Sequence, residues 1–381
     1  MSNLDWGVMI GATLFIIVYG IWKSRGTRTM RAYLLSDKGL KWWMVGLSIM
    51  ATQASAITFL STPGQAFDDG MRFVQFYFGV PVAMVLISMF AIPIYHKLNV
   101  YTAYEYLEGR FDLKTRALAT WLFLLSRGLS TGLTLYAPAI IFSSLLGWDI
   151  RITCIATGLL VMAYIVSGGN EAVNQTQKQQ LLIALAGMVI AGVVMVQRLP
   201  ADISLGDAVY IGGKMGKLNA FTLPDWTNFD WKDRYNLFSG LIGGTFLALS
   251  YFGTDQSQVQ RYLGGRSLAE SRIGLIFNGM LKAPMQFGIL FLGVIMFVFF
   301  QFEDRPLFFQ EKEVIRVYSS PEGEAYRQLE QQNEQLQTQK QSEIRLMLDA
   351  REKGDRAGEE QRQQSLTELE QESRRIRKEA Q

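Results

Sequence analysis

The chain has 381 residues, 49% of them apolar and 12% aromatic, with a formal net charge of +3. Its basic residues are spread over many loops, which excludes a nucleic-acid-binding patch, and its one cysteine, Cys154, sits inside an apolar run, which excludes a disulfide framework. No nucleophile–base pair or cluster of metal ligands is legible, which speaks against an enzyme. The composition averages two unlike parts: long apolar runs up to Phe302, then a segment from Glu303 dominated by Gln, Glu, Arg, Lys and Ser. We divide the chain accordingly into a membrane domain, 1–302, and a polar helical extension, 303–381.

A window of about 19 residues, matched to the bilayer core, predicts eight spans at roughly 6–22, 43–62, 73–95, 117–143, 150–167, 180–198, 237–254 and 273–301. The first run is preceded by Asp5 and followed by no A-x-A site, so it reads as a span and not a cleaved signal. The second contains M-A-T-Q-A-S-A-I-T-F-L-S-T-P-G, from Met50 to Gly64, where Thr52, Gln53, Ser55, Thr58, Ser61 and Thr62 all want hydrogen bonds. Small residues there would serve close helix packing. A sharper reading is a helix that loosens in mid-membrane, offering carbonyls to a cation and side chains to a solute, with Pro63-Gly64 breaking its outer end. The third span ends at His96 beside Lys97, an interfacial position.

The fourth span carries Arg127 deep in the run W-L-F-L-L-S-R-G-L-S-T-G-L-T-L-Y-A-P-A. No acidic residue lies within any of the eight runs to pair with it. Carbonyls of a broken neighbouring helix or the carboxylate of a solute would both satisfy the guanidinium. Around Ser167 the sequence S-G-G-N-E-A-V-N-Q-T-Q-K-Q-Q reads as a polar loop between the fifth and sixth spans. Tyr251 and Phe252 close the seventh, as interface anchors or as a gate over a cavity. In the extension, Ala325 to Glu352 has helix-forming composition and Gly354 marks a turn into a second helix. Leu329, Leu336, Ile344 and Met347 make only a broken apolar stripe, so a solvated helical hairpin is expected.

Orientation follows from basic loop residues. One set of alternate loops holds Lys23, Arg25, Arg28, Arg31, Lys38, Lys41, Lys97, Arg110, Lys114, Arg116, Lys178, Arg261, Arg266 and Arg272, and is the richer. It should face the cytoplasm of a cell (inner) membrane, leaving the N-terminus and the extension extracytoplasmic.

The ordered stretches A-Y-L-L-S-D-K-G-L-K-W-W-M-V-G-L-S, S-A-I-T-F-L-S-T-P-G-Q-A-F-D-D-G, Y-T-A-Y-E-Y-L-E-G-R-F, L-Y-A-P-A-I-I, the S-G-G segment, Y-F-G-T-D-Q-S-Q-V-Q-R-Y-L and G-L-I-F-N-G-M-L-K together resemble the sodium:solute symporter family. Y-E-Y-L-E-x-R-F and Y-A-P-A look most like the branch that moves monocarboxylates, iodide and vitamins. The resemblance implies an all-α membrane protein with a partial inverted-repeat (5+5) fold: a peripheral helix, a first five-helix repeat and the first two helices of a second. It implies sodium-coupled symport of a small solute by alternating access, with Na+ as the coupling ion and the lipid bilayer as the surroundings. A membrane solute-sensing domain of a signalling protein is the alternative.

By the same resemblance, the carbonyls of Ala51 and Ala54 match sodium ligands. The site's hydroxyl ligands come from a later helix that is not in this chain, so the chain reads as part of a longer one. Gln53, Ser55 and Thr58 match cavity-facing positions, Gln75 and Tyr77 solute contacts, and Tyr251, with Phe252, the inner gate. Arg127 falls where sialic-acid-carrying members hold a carboxylate, which points to an organic anion, while Ala248 stands where a sugar carrier has a polar contact. Gln177 replaces the acid of the family's W-T-D motif, which puts in doubt a second sodium and the usual ion-release step.

Overall fold

A computed structural model describes residues 3–24, 39–98, 100, 102–223, 234–303, 305–308 and 311–380. Most of the expected basic loop, including Arg25, Arg28, Arg31 and Lys38, lies outside them. Among the described residues every regular element is helical, and the sole extended pairing given is a parallel bridge between Leu40 and Gly265. Ile57–Leu98, Gln179–Gln197 and Leu268–Phe302 are long and apolar enough to cross a membrane, and Leu4–Gly20 and Ile150–Ala163 are shorter apolar helices. Contacts divide the chain into two compact units: 1–62, 73–187 and 221–289 in the first, and 63–72, 188–220 and 290–381 in the second.

The chain begins with α1 (Asn3–Ser24). The second expected span is two helices, α2 (Trp42–Gln53) and α3 (Ala56–Asp69), with Ala54 and Ser55 in neither. Pro63 does not end the helix as expected; α3 runs through it to Asp69. Proline removes one backbone donor, and helices in membranes tolerate that loss where neighbours pack closely. Gly293 supplies such packing, because a Cβ on it would collide with the Pro63 carbonyl. A 3-10 segment, Gly70–Phe78, then leads into α4 (Gly79–Met89), and a turn at Phe90 separates α4 from α5 (Ala91–Leu98).

After α6 (Glu105–Arg110), Asp112 caps α7 (Leu113–Leu146) by accepting from the Thr115 amide at 2.7 Å, and Gly147 ends it at a left-handed φ of 70°. Helix α8 spans Ile150–Gln197 without interruption. The polar loop expected around Ser167 is therefore helical. Its two glycines each cost only about 1 kcal/mol in a helix, no proline is present, and the flanking Glu, Ala, Gln, Lys and Leu favour helix. Helix α9 (Leu205–Lys214) starts at a reciprocal cap between Ser204 and Asp207. The seventh span opens with a π-helical turn, Ser239–Gly243, continues as α10 (Gly244–Thr254), and breaks at Asp255 before α11 (Gln256–Leu263). Helix α12 (Leu268–Phe302) follows.

The first unit is built on Val45, Ile49, Met84, Ile87, Phe252, Tyr262 and Leu275, all buried. At one end its loops meet: the Arg266 amide donates to Leu40 O (3.1 Å) and the Ala103 amide to Gln256 Oε1 (3.0 Å). In the second unit α13 (Glu311–Tyr318) precedes the expected hairpin, α14 (Gly323–Glu352) and α15 (Arg356–Glu379), joined at Gly354 with φ 70°. The hairpin is not simply solvated. Ile344 and Met347 are wholly buried with Phe67, Ile211, Phe297, Val298 and Leu366. The Gln337 amide donates to the carbonyls of Phe300, Gln301 and Glu303, and that of Gln341 to Phe302 O, so side chains of α14 satisfy the carbonyl end of α12.

Candidate functional site

The interruption between α2 and α3 is the first feature of the site. In a continuous helix the Ser55 N–H would donate to Ala51 O; here it donates to Gln53 O at 3.1 Å. The Ala51 carbonyl is thereby released, and Ala54, at φ −84° and ψ 85°, is the C-cap of α2, its amide still donating to Met50 O at 2.9 Å. Hard carbonyl oxygens at such a break are suitable ligands for a small alkali cation. Side chains cluster beside it. Thr58 Oγ1 donates to Gln53 O at 3.4 Å, Ser55 is half-buried, and the Gln53 Oε1 atom is buried without a hydrogen-bond partner among the described residues.

Gln177, on α8, brackets the first half of this broken helix. Its Nε2 donates to Thr52 Oγ1 at 3.1 Å, and its Oε1 accepts from Ser48 and Thr52, both at 3.4 Å. A neutral amide thus links α2 to α8 where a carboxylate was the expected family residue.

Gln75 and Tyr77 have different surroundings. Gln75 is fully buried, and its amide is already engaged: Nε2 donates to Tyr235 O at 3.0 Å and Oε1 accepts from the Thr222 amide at 3.2 Å. Tyr77 packs on the apolar core, and its ring lies 5.7 Å from Lys282 Nζ. Lys282 closes the stretch G-L-I-F-N-G-M-L-K, but nothing in the sequence assigns it a role of its own there. In the structure it is 1% exposed, and no carboxylate lies within ion-pair distance of it among the described residues. One turn to either side on α12 are Asn278 and Gln286, both fully buried. Asn278 Oδ1 and both polar atoms of Gln286 have no hydrogen-bond partner among the described residues. The signal that could have found them is their spacing of four residues, which puts three polar groups on one face of an otherwise apolar helix.

Arg127 has a partner that lies just outside the predicted runs. It forms an ion pair with Asp255, at the break between α10 and α11, and its guanidinium lies 5.7 Å from the Tyr251 ring. Asp255 also caps α11, its Oδ1 accepting from the Ser257 amide at 2.9 Å and hydroxyl at 2.6 Å. No described contact joins Arg127 to Gln53, Ser55 or Thr58. Three tyrosine hydroxyls cap the carbonyl end of α10: Tyr262 to Phe252 O, Tyr95 to Gly253 O and Tyr104 to Thr254 O, at 3.2, 2.9 and 3.2 Å. Of the two gate candidates, Phe252 is 1% exposed within the core. Tyr251 is half-buried, its hydroxyl accepting from Gln258 Nε2 at 2.7 Å.

Interrupted helices with polar groups at the break, set among long apolar helices, define a multi-pass membrane protein of the all-α transporter class. The sodium:solute symporter family model matches residues 33–317. The chain belongs to the sodium:solute symporter family. It is 30% identical to the human sodium/iodide cotransporter over 301 residues, covering 78% of this chain and 45% of that protein. It is 32% identical to human sodium-coupled monocarboxylate transporter 1 over 280 residues, covering 72% of this chain and 44% of that one. Among solved structures it is similar to a Na+-coupled sialic acid symporter in a substrate-bound outward-open state, with a TM-score of 0.71 and 25% identity over 79% of this chain and 61% of that one. The chain spans less than half the length of these curated relatives.

Proposed function

We propose that the protein carries out sodium-coupled symport of a small organic anion by alternating access; its similarity to proteins named as sodium-coupled monocarboxylate transporters supports the coupling and the solute class. The observation that carries this reading is the interruption at Ala54–Ser55, which releases the Ala51 carbonyl from the helical ladder. Ala51 and Ala54 would supply part of a sodium site, and Gln53, Ser55 and Thr58 would border the solute.

The anionic character of the solute rests on Lys282. A buried ammonium without a counter-ion is costly, and a bound carboxylate would offset that cost. Arg127 is the weaker candidate, because Asp255 already answers its charge; a solute could use it only when that pair opens. Gln75 belongs to the wall of the site, its amide being held by backbone groups, while Tyr77 would flank the solute beside Lys282. Tyr251 and Phe252 would form the inner gate, Tyr251 as its moving part. In this reading the protein lies in the cell (inner) membrane with its basic loops cytoplasmic and its N-terminus and extension outside.

Uptake of radiolabelled carboxylates by cells expressing the full-length protein tests the proposal. Uptake should require sodium and rise with membrane potential. Lys282→Met should reduce anion uptake at least tenfold with normal membrane abundance, and Lys282→Arg should retain part of it. Equal uptake in sodium and in choline would refute the coupling.

A further inference from the structure

We propose that Gln286 sets the selectivity of the Lys282 site, favouring small carboxylates that carry a second hydrogen-bonding group on the carbon next to the carboxyl; this rests on the anion reading above. Gln286 is fully buried, yet both ends of its amide lack a partner among the described residues. Leaving a buried donor and acceptor unpaired is expensive, and such groups are uncommon in folded proteins. Nothing structural is gained in return, since leucine or methionine would fill the same volume on an apolar helix.

Its position indicates what it would recognise. Residues four apart on a helix are neighbours, roughly 5–6 Å between Cβ atoms, and helical side chains lean back toward the N-terminus. Gln286 therefore covers the turn that carries Lys282. A carboxylate held on the ammonium would leave its adjacent carbon within reach of the amide. The amide offers one acceptor and two donors, so it suits either a hydroxyl or a carbonyl there. Asn278, one turn in the other direction, is less available, because its Nδ2 already approaches Met84 Sδ at 4.0 Å. Tyr77 lies over Lys282 and presents a ring, not a competing charge.

The test compares glycolate with propionate, two anions of nearly equal size that differ by a hydroxyl in place of a methyl. Each competes for sodium-dependent uptake of a labelled carboxylate in cells expressing the full-length protein. Wild type should bind glycolate about tenfold more tightly, the difference one well-placed hydrogen bond makes in a dry site. In Gln286→Met the hydroxyl is buried without a partner, so the order should reverse, propionate being favoured by about tenfold while its own affinity is unchanged. Gln286→Leu is the second variant should Met fail to reach the membrane. Equal competition by the two anions in wild type overturns the proposal. So does a parallel loss of both in a variant present at normal abundance, which would make Gln286 a structural residue. Absence of any sodium-dependent anion uptake by wild type would instead sink the transport reading itself.

Discussion

Arg127 shows how a single residue can be noticed in the sequence while its partner goes unseen. Its depth in an apolar run was plain, but its partner sits 128 positions away, outside every run, at a break whose location depends on how α10 meets α11. Asp255 has two separable duties, a charge for Arg127 and a cap for α11. Asparagine caps helices as well as aspartate does, whereas alanine costs about 0.5–2 kcal/mol at a cap. Asp255→Asn should therefore remove the ion pair alone, and Asp255→Ala both duties. Thermal unfolding in detergent should rank wild type above Asn and Asn above Ala. A double-mutant cycle of Asp255→Asn with Arg127→Met should show a coupling of about 0.5–3 kcal/mol, as contacting residues do. Additive losses would mean that the pair contributes nothing.

Among elements, the broken second span was legible because threonine, glutamine and serine inside an apolar run contradict their surroundings, and the structure interrupts the helix there. The packing of the 3-10 segment against the π-helical turn was not legible, since glycines reveal a close approach only once a partner is known. A Cβ on Gly240 would lie 2.6 Å from the backbone carbon of Gln75, while one on Gly243 would meet nothing within 4 Å. Gly240→Ala should cost about 1–3 kcal/mol, as overpacking does, and Gly243→Ala should be close to neutral; detergent melts of the two variants check this.

The hairpin offers a pH test. Burial, with Arg374 nearby, draws the Lys217 ammonium from 10.5 down to about 8, while its Nζ donates to Asp68 O at 2.7 Å. Lys340 is shifted the same way by burial, despite Glu370 at 2.7 Å. Between about 8 and 10.5 the unfolded chain holds a proton on Lys217 that the folded one has released, so folding becomes more favourable as pH rises through that window. Hydrogen exchange of α14 and α15 should slow relative to the intrinsic rate from pH 8 to pH 10, and Lys217→Met should reduce that dependence.

For the molecule as a whole, hydropathy identified the class, and motif order identified the family, because both are written along the chain. Chain reversals are less well marked. The topology drawn from basic residues needs an even number of crossings between Trp148 and Asn219, yet α8 is continuous over Ile150–Gln197. At 1.5 Å per residue a helix of that length extends roughly 70 Å, more than twice the hydrocarbon thickness. We propose the even count on the contacts around it. Trp148 lies beside Trp6, with ring centroids 5.9 Å apart and the rings tilted by 40°, which puts it with the start of α1. The Thr222 amide meets Gln75 in the segment before α4, whereas Arg266 meets Leu40 at the opposite end of the intervening spans. Cys154 is the one cysteine among these 381 residues, so Cys154→Ser, with any cysteine elsewhere in the protein replaced likewise, gives a clean background for labelling. With a membrane-impermeant maleimide on intact cells, Trp148→Cys, Asn219→Cys and Arg356→Cys should all react, and Arg266→Cys should react only after permeabilisation. That result requires the chain to turn back within the α8 sequence, where Gly168 and Gly169 provide the weakest helix. Reaction of Trp148→Cys without Asn219→Cys would show that α8 crosses once, and would place the extension in the cytoplasm.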